Sequence, residues 1–447
     1  MRQDDVLVRA IQEVIGSDAD RLAQEHGLSR RSGKLSGGAF ARTLVLSYLR
    51  QPDATLDQIA QTAALVAEPV TPQAIDQRFT PQAAAHLKAC LEAAVCRILP
   101  AEEVASTKLF DRFTEVCVQD STTLELPDEF ESIYRGCGCS APSAANSALK
   151  FQVRFELKRG GLSRFAIEPG RAADVATPLQ TEAIAAGSLH LRDLGYFDLS
   201  VFRAIDSEKA YFLSRLHQPI VVFDTAGCRR ELAQWLDHQR ATVVDTNVTL
   251  GLANRMPARL IAIRVPRRVW RRRLKELRRQ GTKKGYTPSP QRIALCRWNV
   301  YITNLPPTLL TVEEAQALIR LRWQIELLFK QWKSQGRLDE SRSNRPERIL
   351  AELFAKMLAL VIQHWILTRC CWRFANRSLS RASRAVQCLA GAMAAAWQNA
   401  TQLATLLQQI ARALDRTSRV EHRRKQPSAF QVIDNPKDYG YKNNGRA

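Results

Sequence analysis

Asp120 closes the apolar run VCVQD and is followed by Ser-Thr-Thr, small residues that leave room for ions and a substrate. Three further aspartates occupy comparable strand ends: Asp193 in LHLRDLGYFD, Asp224 in IVVFD and Asp245 in TVVD. In IRLRWQIELLFKQWK, Glu326 lies four residues after Arg322, four before Lys330 and seven before Lys333, so all four side chains project from one helical face. Carboxylates at element ends suit hard divalent cations. Two such ions about 4 Å apart permit phosphodiester chemistry without a covalent enzyme intermediate, one activating the nucleophile and the other stabilising the leaving oxygen. Spacing alone leaves open which of the three aspartates joins Asp120. It also leaves open whether the Arg322–Lys333 face is a site or a surface ladder of ion pairs.

The elements that would position these acids follow from hydrophobic periodicity. A short strand runs from Glu115 and ends at Asp120. Leu149, Phe151, Val153, Phe155 and Leu157 alternate with Lys150, Gln152, Arg154, Glu156 and Lys158, which predicts a strand with one apolar and one polar face. Gly160-Gly161 and the apolar stretch Leu162 to Ile167 make it a hairpin. A helix over Pro178–Ala186 and a strand over Leu189–Asp193 follow, giving the order strand, hairpin, helix, strand. Strand-like pieces at Pro219–Asp224, Ala241–Asp245, Leu260–Val265 and Ile293–Thr303 surround a basic run. The capping box Thr311-Val-Glu-Glu314 starts a long helix reaching about Lys333, with Leu321, Ile325, Leu328 and Trp332 turned to a core. Helices are expected over Glu347–Arg369 and Ala382–Leu414, and a loose polar tail from Thr417.

Residues 1–105 read as helical. Thr55-Leu-Asp-Gln58 is a capping box, and Thr71-Pro72 and Thr80-Pro81 each pair an N-cap with proline at the first helical position. A short helix, a turn at Glu68–Val70 and a helix over Pro72–Phe79 would resemble helix-turn-helix, with Gln73, Gln77 and Arg78 reaching base edges or phosphates. The alternative is a small bundle that only packs on its neighbour.

Charge is distributed unevenly: residues 1–105 and 106–215 each net −2, whereas 216–310 and 311–447 net +13 and +12 of the total of +21. Eleven cations face the single acid Glu276 between Arg264 and Gly285, interleaved with Trp270 and aliphatic residues; they include Arg271, Arg272 and Arg273. A long polyanion is the natural partner, because cations that neutralise phosphates release condensed counterions. The best candidate for a membrane span, Ile349 to Leu367, is interrupted by Glu352, Lys356 and His364, and no membrane partner is expected. The acidic start MRQDD lacks the pattern of a signal peptide, which predicts a cytoplasmic protein. Ten cysteines without a CxxC pair read as reduced and mostly buried, and no zinc spacing is present.

QDST around Asp120, RDLGYF around Asp193 and R-W-Q-I-E-x6-K from Arg322 to Lys333 occur in the order found in the DDE transposases of bacterial insertion sequences, a family this chain resembles over roughly residues 105–370. The likeness is to the branch whose third motif is Y-x2-R-x3-E-x6-K; the tyrosine position is Ile319 here. The resemblance implies an α/β, RNase H-like catalytic domain, a mixed sheet flanked by helices, with a β-rich insertion before the final acid. It makes Asp193 the second acid and puts Asp224 and Asp245 in the insertion. Asp120, Asp193 and Glu326 would then be the catalytic residues and hold two Mg²⁺ ions, with Mn²⁺ able to substitute. Arg322 and Lys333 would hold DNA phosphates, with Lys330 on the same helical face a further DNA contact, and Trp298 would be either the insertion's aromatic that stacks on a flipped base or a strand aromatic in the core. The implied division is a helical region over 1–105, catalytic residues 106–215, a basic β-rich insertion over 216–308, catalytic residues 309–370, and a helical basic region over 371–447. The implied activity is cut-and-paste transposition on double-stranded DNA by a homodimer at the bacterial nucleoid. The rivals are a nuclease of the same fold that does not join ends, and a transposase-derived protein that only binds DNA.

Overall fold

The computed structural model describes residues 3–29, 35–97, 107–137, 146–217, 220–253, 255–372, 374, 377–419 and 429–436. Cys139 and most of the tail expected to be loose lie outside the described residues. The described chain begins with helices α1 (Gln3–Gln12), α2 (Asp18–Glu25), α3 (Gly37–Arg50), α4 (Leu56–Val66), α5 (Pro72–Asp76) and α6 (Pro81–Cys96). Strands β1 (Val116–Leu126), β2 (Ser147–Glu156), β3 (Gly161–Pro169) and β4 (Leu189–Arg192) precede α7 (Leu199–Ser207) and β5 (Tyr211–Arg215). Next come β6 (Val222–Phe223), β7 (Arg229–Arg230), α8 (Leu232–Asp237), β8 (Val243–Leu250), β9 (Met256–Arg264), α9 (Arg267–Lys284), α10 (Pro290–Leu295) and β10 (Trp298–Thr303). The rest of the described chain is helical: α11 (Val312–Leu321), α12 (Trp323–Gly336), α13 (Pro346–Leu367), α14 (Leu379–Ala395), α15 (Ala400–Thr417) and α16 (Ala429–Asp434).

The strands hydrogen-bond in the order β3-β2-β1-β4-β5-β10-β9-β8-β6-β7. β1 is parallel to β4 and β4 to β5, β2 is antiparallel to β3, and the strands beyond β5 pair antiparallel. A mixed sheet of this order with flanking helices is an RNase H-like α/β fold, and the strands of the expected insertion continue the same ladder. Two compact units are distinguished: Met1–Ser106, Ser121–Ala173 and Ile325–Ser428 form the first, and Thr107–Asp120, Asp174–Gln324 and Ala429–Ala447 the second.

The first unit is built around α13, almost every residue of which is buried, packed against α6 and α3. This helix is within Pro346–Trp372, long and apolar enough by composition to cross a membrane, so the expectation that its charges disqualify it is corrected; 94% of the apolar window is buried inside the protein. β2 also departs from its predicted alternation, because all ten residues are buried and both faces are covered. Two of its polar residues bond locally: Lys150 donates to the Ala172 carbonyl at 2.5 Å, and Glu156 accepts from the backbone N–H groups of Lys158 and Arg159. Gly160 turns the hairpin at φ +71°, where a Cβ would lie 2.4 Å from the Trp372 ring, and its carbonyl accepts from His364 Nε2 at 2.6 Å. Both the turn conformation and the close approach demand glycine.

The second unit buries Phe202, Phe212, Leu236, Leu250, Ile302 and Trp298 in one core. Four further expectations are corrected. The helix predicted over Pro178–Ala186 is a single 3-10 turn, Pro178–Gln180, because Thr181 closes it by donating from both N and Oγ1 to the Pro178 carbonyl. Ile293 and Leu295 belong to α10, not a strand, since Ser289 caps a helix with Pro290 at its first position. The helix from Thr311 is interrupted at Arg322 and becomes α11 and α12. Within the first unit, the helix over Ala382–Leu414 is likewise two, because Asn399 caps α15 through the Gln402 N–H. Of the described cysteines, Cys96, Cys137, Cys228 and Cys388 are exposed and all are unbridged.

Candidate active site

Asp120 does not end its strand. Ser121, Thr122 and Thr123 continue β1 to Leu126, as β-branched residues favour, so the carboxylate stands mid-strand. Asp193 immediately follows β4, and its carbonyl accepts from the Tyr196 N–H in a 3-10 turn over Leu194–Tyr196. The parallel register Val116–Leu189 to Val118–Leu191 sets the two strands side by side and, continued by two residues, puts both acids at the same level. Both carboxylates meet one guanidinium: Arg322 Nη1 lies 3.3 Å from Asp120 Oδ2 and 3.4 Å from Asp193 Oδ2. The three side chains are 14%, 19% and 31% exposed in the order Arg322, Asp120, Asp193, so their attraction is only partly screened by solvent.

Behind this cluster lies a contact that sequence reasoning missed. Arg192, 2% exposed, donates through Nη1 to Oε1 of Gln119. Each is the residue just before an acid, so this cross-strand bond ties β1 to β4 at the level of the carboxylates. A charged residue inside an apolar strand was the available signal, since arginine is rarely buried without a partner.

The rival aspartates are engaged elsewhere. Asp224 accepts from the N–H groups of Ala226 and Cys228 and from Arg230, closing the β6–β7 turn. Asp245 is clasped by Arg259 through two bonds of 2.7 Å. Its strand β8 is five positions from β1 in the sheet, about 24 Å at the usual strand spacing.

Glu326 lies one turn into α12, four residues after Arg322, and is half-buried; Lys330, on the following turn, is exposed. Lys333 donates to the Thr123 carbonyl of β1 at 2.8 Å, which fixes α12 against the strand. Leu321, Ile325, Leu328 and Trp332 are buried as the pattern predicts. Ile319 is buried too, at 4% exposure, so the position one turn before Arg322 belongs to the core. Among the described residues no three of Asp, Glu, His or Cys gather closely enough to hold a metal ion. Arg322 brings Asp120 and Asp193 together.

The expected DNA contacts divide in the same way. Arg271 and Arg272 are exposed on α9, whereas Arg273 donates to the Trp298 carbonyl and to Asn299 Oδ1 and holds the helix on β10. Trp298 is 3% exposed, with the Arg264 guanidinium 4.8 Å from its ring centroid. A base has no face of this indole on which to stack, which corrects the expectation for it. Gln73 and Gln77 are exposed beside α5, a helix of five residues. Arg78 instead donates to the Leu35 carbonyl, and Asp76 on the same turn pairs with Arg345 and Arg348.

The acid pair lies within a segment, residues 111–362, that matches the family model described as the transposase DDE domain. The transposase for insertion sequence element IS231F of Bacillus thuringiensis subsp. israelensis is 24% identical over 93% of this chain and 91% of its own length. The transposase for IS231E of Bacillus thuringiensis subsp. finitimus is 26% identical over 78% of this chain and 77% of its own, and that for IS1151 of Clostridium perfringens is 23% identical over 78% of each. A solved synaptic complex of piggyBac transposase with hairpin DNA aligns at TM-score 0.46 and 9% identity, covering 93% of this chain and 86% of that one, a likeness that carries no weight here. With the family model matching more than half of its length and relatives of the same kind along nearly all of it, this chain belongs to the DDE transposases of bacterial insertion sequences.

Proposed function

We propose that the chain cleaves DNA at the ends of an insertion element and joins the freed ends to target DNA, with Asp120, Asp193 and Glu326 as its catalytic acids. The observation that carries this is the convergence of Asp120, within β1, and Asp193, just after the parallel neighbour β4, on one cation, Arg322. Two carboxylates gathered around one positive group offer the charge a divalent ion requires, and their all-oxygen donor set suits Mg²⁺ or Mn²⁺ over softer metals. Asp120 and Asp193 would hold the ions, with Glu326 as the third ligand. When bound, two such ions supply activation of the attacking oxygen and stabilisation of the leaving one.

The protein's own groups supply position. Arg192 and Gln119 hold the two acid-bearing strands in register. Lys330 and the exposed Arg271 and Arg272 offer fixed charge to phosphates, as do Arg322 and Lys333 if they exchange their present partners. Gln73 and Gln77 are the residues of the N-terminal helices open to a DNA contact. Double-stranded DNA, both element ends and target, is the partner, and bringing two ends together calls for a homodimer on DNA.

The test is a gel assay on DNA carrying the repeats that flank the gene. Asp120→Asn, Asp193→Asn and Glu326→Gln should each abolish cleavage while leaving end binding within a few-fold, since each removes a ligand's charge and little shape. If Asp193→Asn cleaves like wild type and Asp224→Asn does not, the second acid is misassigned. Cleaved ends without strand-transfer products would favour a nuclease that does not join.

A further inference from the structure

One arginine proton donor, Arg322 Nη1, serves both acids at once, 3.3 Å from Asp120 and 3.4 Å from Asp193. Those contacts use Oδ2 of each carboxylate, so one Nη1 atom sits within reach of both acids. A divalent ion between the acids needs the same space, and its charge would be repelled by a guanidinium held there. The two cations are therefore alternatives. Arginine cannot be relieved by deprotonation, so it must move away.

Its position allows that movement. Arg322 is the junction residue between α11 and α12, where the helix hydrogen bonding is interrupted, and its side chain keeps 14% exposure. The surface partner that would draw it off is a phosphate, which binds a guanidinium in the same fork geometry as a carboxylate.

We infer that Arg322 is an internal counter-ion of the acid pair that is exchanged onto a DNA phosphate, so that divalent-ion binding at Asp120 and Asp193 is coupled to DNA binding. This rests on the reading of those aspartates as metal ligands. In the absence of DNA, Arg322 competes with the metal and keeps its affinity low. DNA removes the competitor, and by linkage the metal strengthens DNA binding by the same factor. The arrangement restrains metal loading, and with it hydrolysis, until an end is in place.

The experiment measures Mn²⁺ binding to the full chain by the loss of the free-ion paramagnetic resonance signal, with and without a short duplex of the element end. Arg322→Gln should bind Mn²⁺ at least about tenfold more tightly than wild type without DNA, while Arg322→Lys, which keeps the charge, should stay close to wild type. The duplex should strengthen Mn²⁺ binding more in wild type than in Arg322→Gln, by the factor that separates the two without DNA. Equal or weaker Mn²⁺ binding by a folded Arg322→Gln, or an equal DNA effect in both, would overturn the inference. Adding Asp193→Asn to Arg322→Gln separates the two layers. Loss of the Mn²⁺ site there supports the metal-ligand reading whatever Arg322 does, and its retention overturns that reading itself.

Discussion

Ile319 lies three residues before Arg322 on α11, and its buried environment decides what a substitution there would do. At 4% exposure its side chain is enclosed, with Leu318 and Leu321 beside it in the sequence also buried. Ile319→Tyr would add a ring and a hydroxyl to a packed site, an overpacking cost of about 1 to 3 kcal/mol, with the hydroxyl needing a partner as well. The urea midpoint should fall accordingly at unchanged slope; an unchanged midpoint would mean that the site opens to solvent. Trp298 teaches the same lesson. Its place in the sequence fits either a stacking platform or a core aromatic, and the packing of β10 beneath Arg264 decides for the core. Residue types could nominate Asp120, Asp193 and Glu326, yet the pairing of the two aspartates depends on β1 lying beside β4, a contact between residues some 70 positions apart that no local pattern reports.

Helix α9 shows what elements add. Its eighteen residues are rich in arginine, yet Trp270, Leu274 and Leu277 recur at helical spacing on its less exposed face, Gly285 at φ +68° ends it and Arg273 ties it to β10. The arginines are therefore not interchangeable. Arg271→Ala with Arg272→Ala should lower the slope of log affinity for DNA against log salt by about 1.8 if each holds one phosphate, without changing thermal stability. Arg273→Ala should lower stability and shift the slope less. Equal slopes for the double variant and wild type would make this face a solvated one. Local signals were legible wherever they are chemical: the boxes at Thr55 and Thr311, the prolines after Thr71 and Thr80, the glycine turn of the hairpin. They failed where tertiary cover intervenes, as on β2, whose polar positions look solvent-facing but are buried, and at Arg322, where the helix breaks although its sequence pattern runs on.

Over the whole molecule, the first unit carries two buried histidines on separate helices, His86 and His364, that contribute to its response to acid. His86 on α6 bonds through Nε2 to the Ala19 carbonyl at 2.8 Å, and Nδ1 is buried with no partner. His364 on α13 bonds to the Gly160 carbonyl that turns the β2–β3 hairpin. Burial pushes each imidazole down from 6.5 to about 4, outweighing the hydrogen bond each makes to a carbonyl. Both are therefore neutral in the folded protein at pH values where the unfolded chain has already taken up protons. Stability from this source is complete above about pH 6.5 and is lost as the pH falls toward 4, by up to about 3 kcal/mol per histidine. Urea unfolding followed between pH 7.5 and 4 should show the decline beginning near 6.5, well above the range in which carboxylates titrate. His86→Gln offers an amide N–H to the Ala19 carbonyl without a titrating group, and should flatten the upper part of that decline while lowering stability at pH 7.5. A decline of unchanged steepness in the variant would mean that His86 is hydrated in the folded state and that the acid sensitivity arises elsewhere.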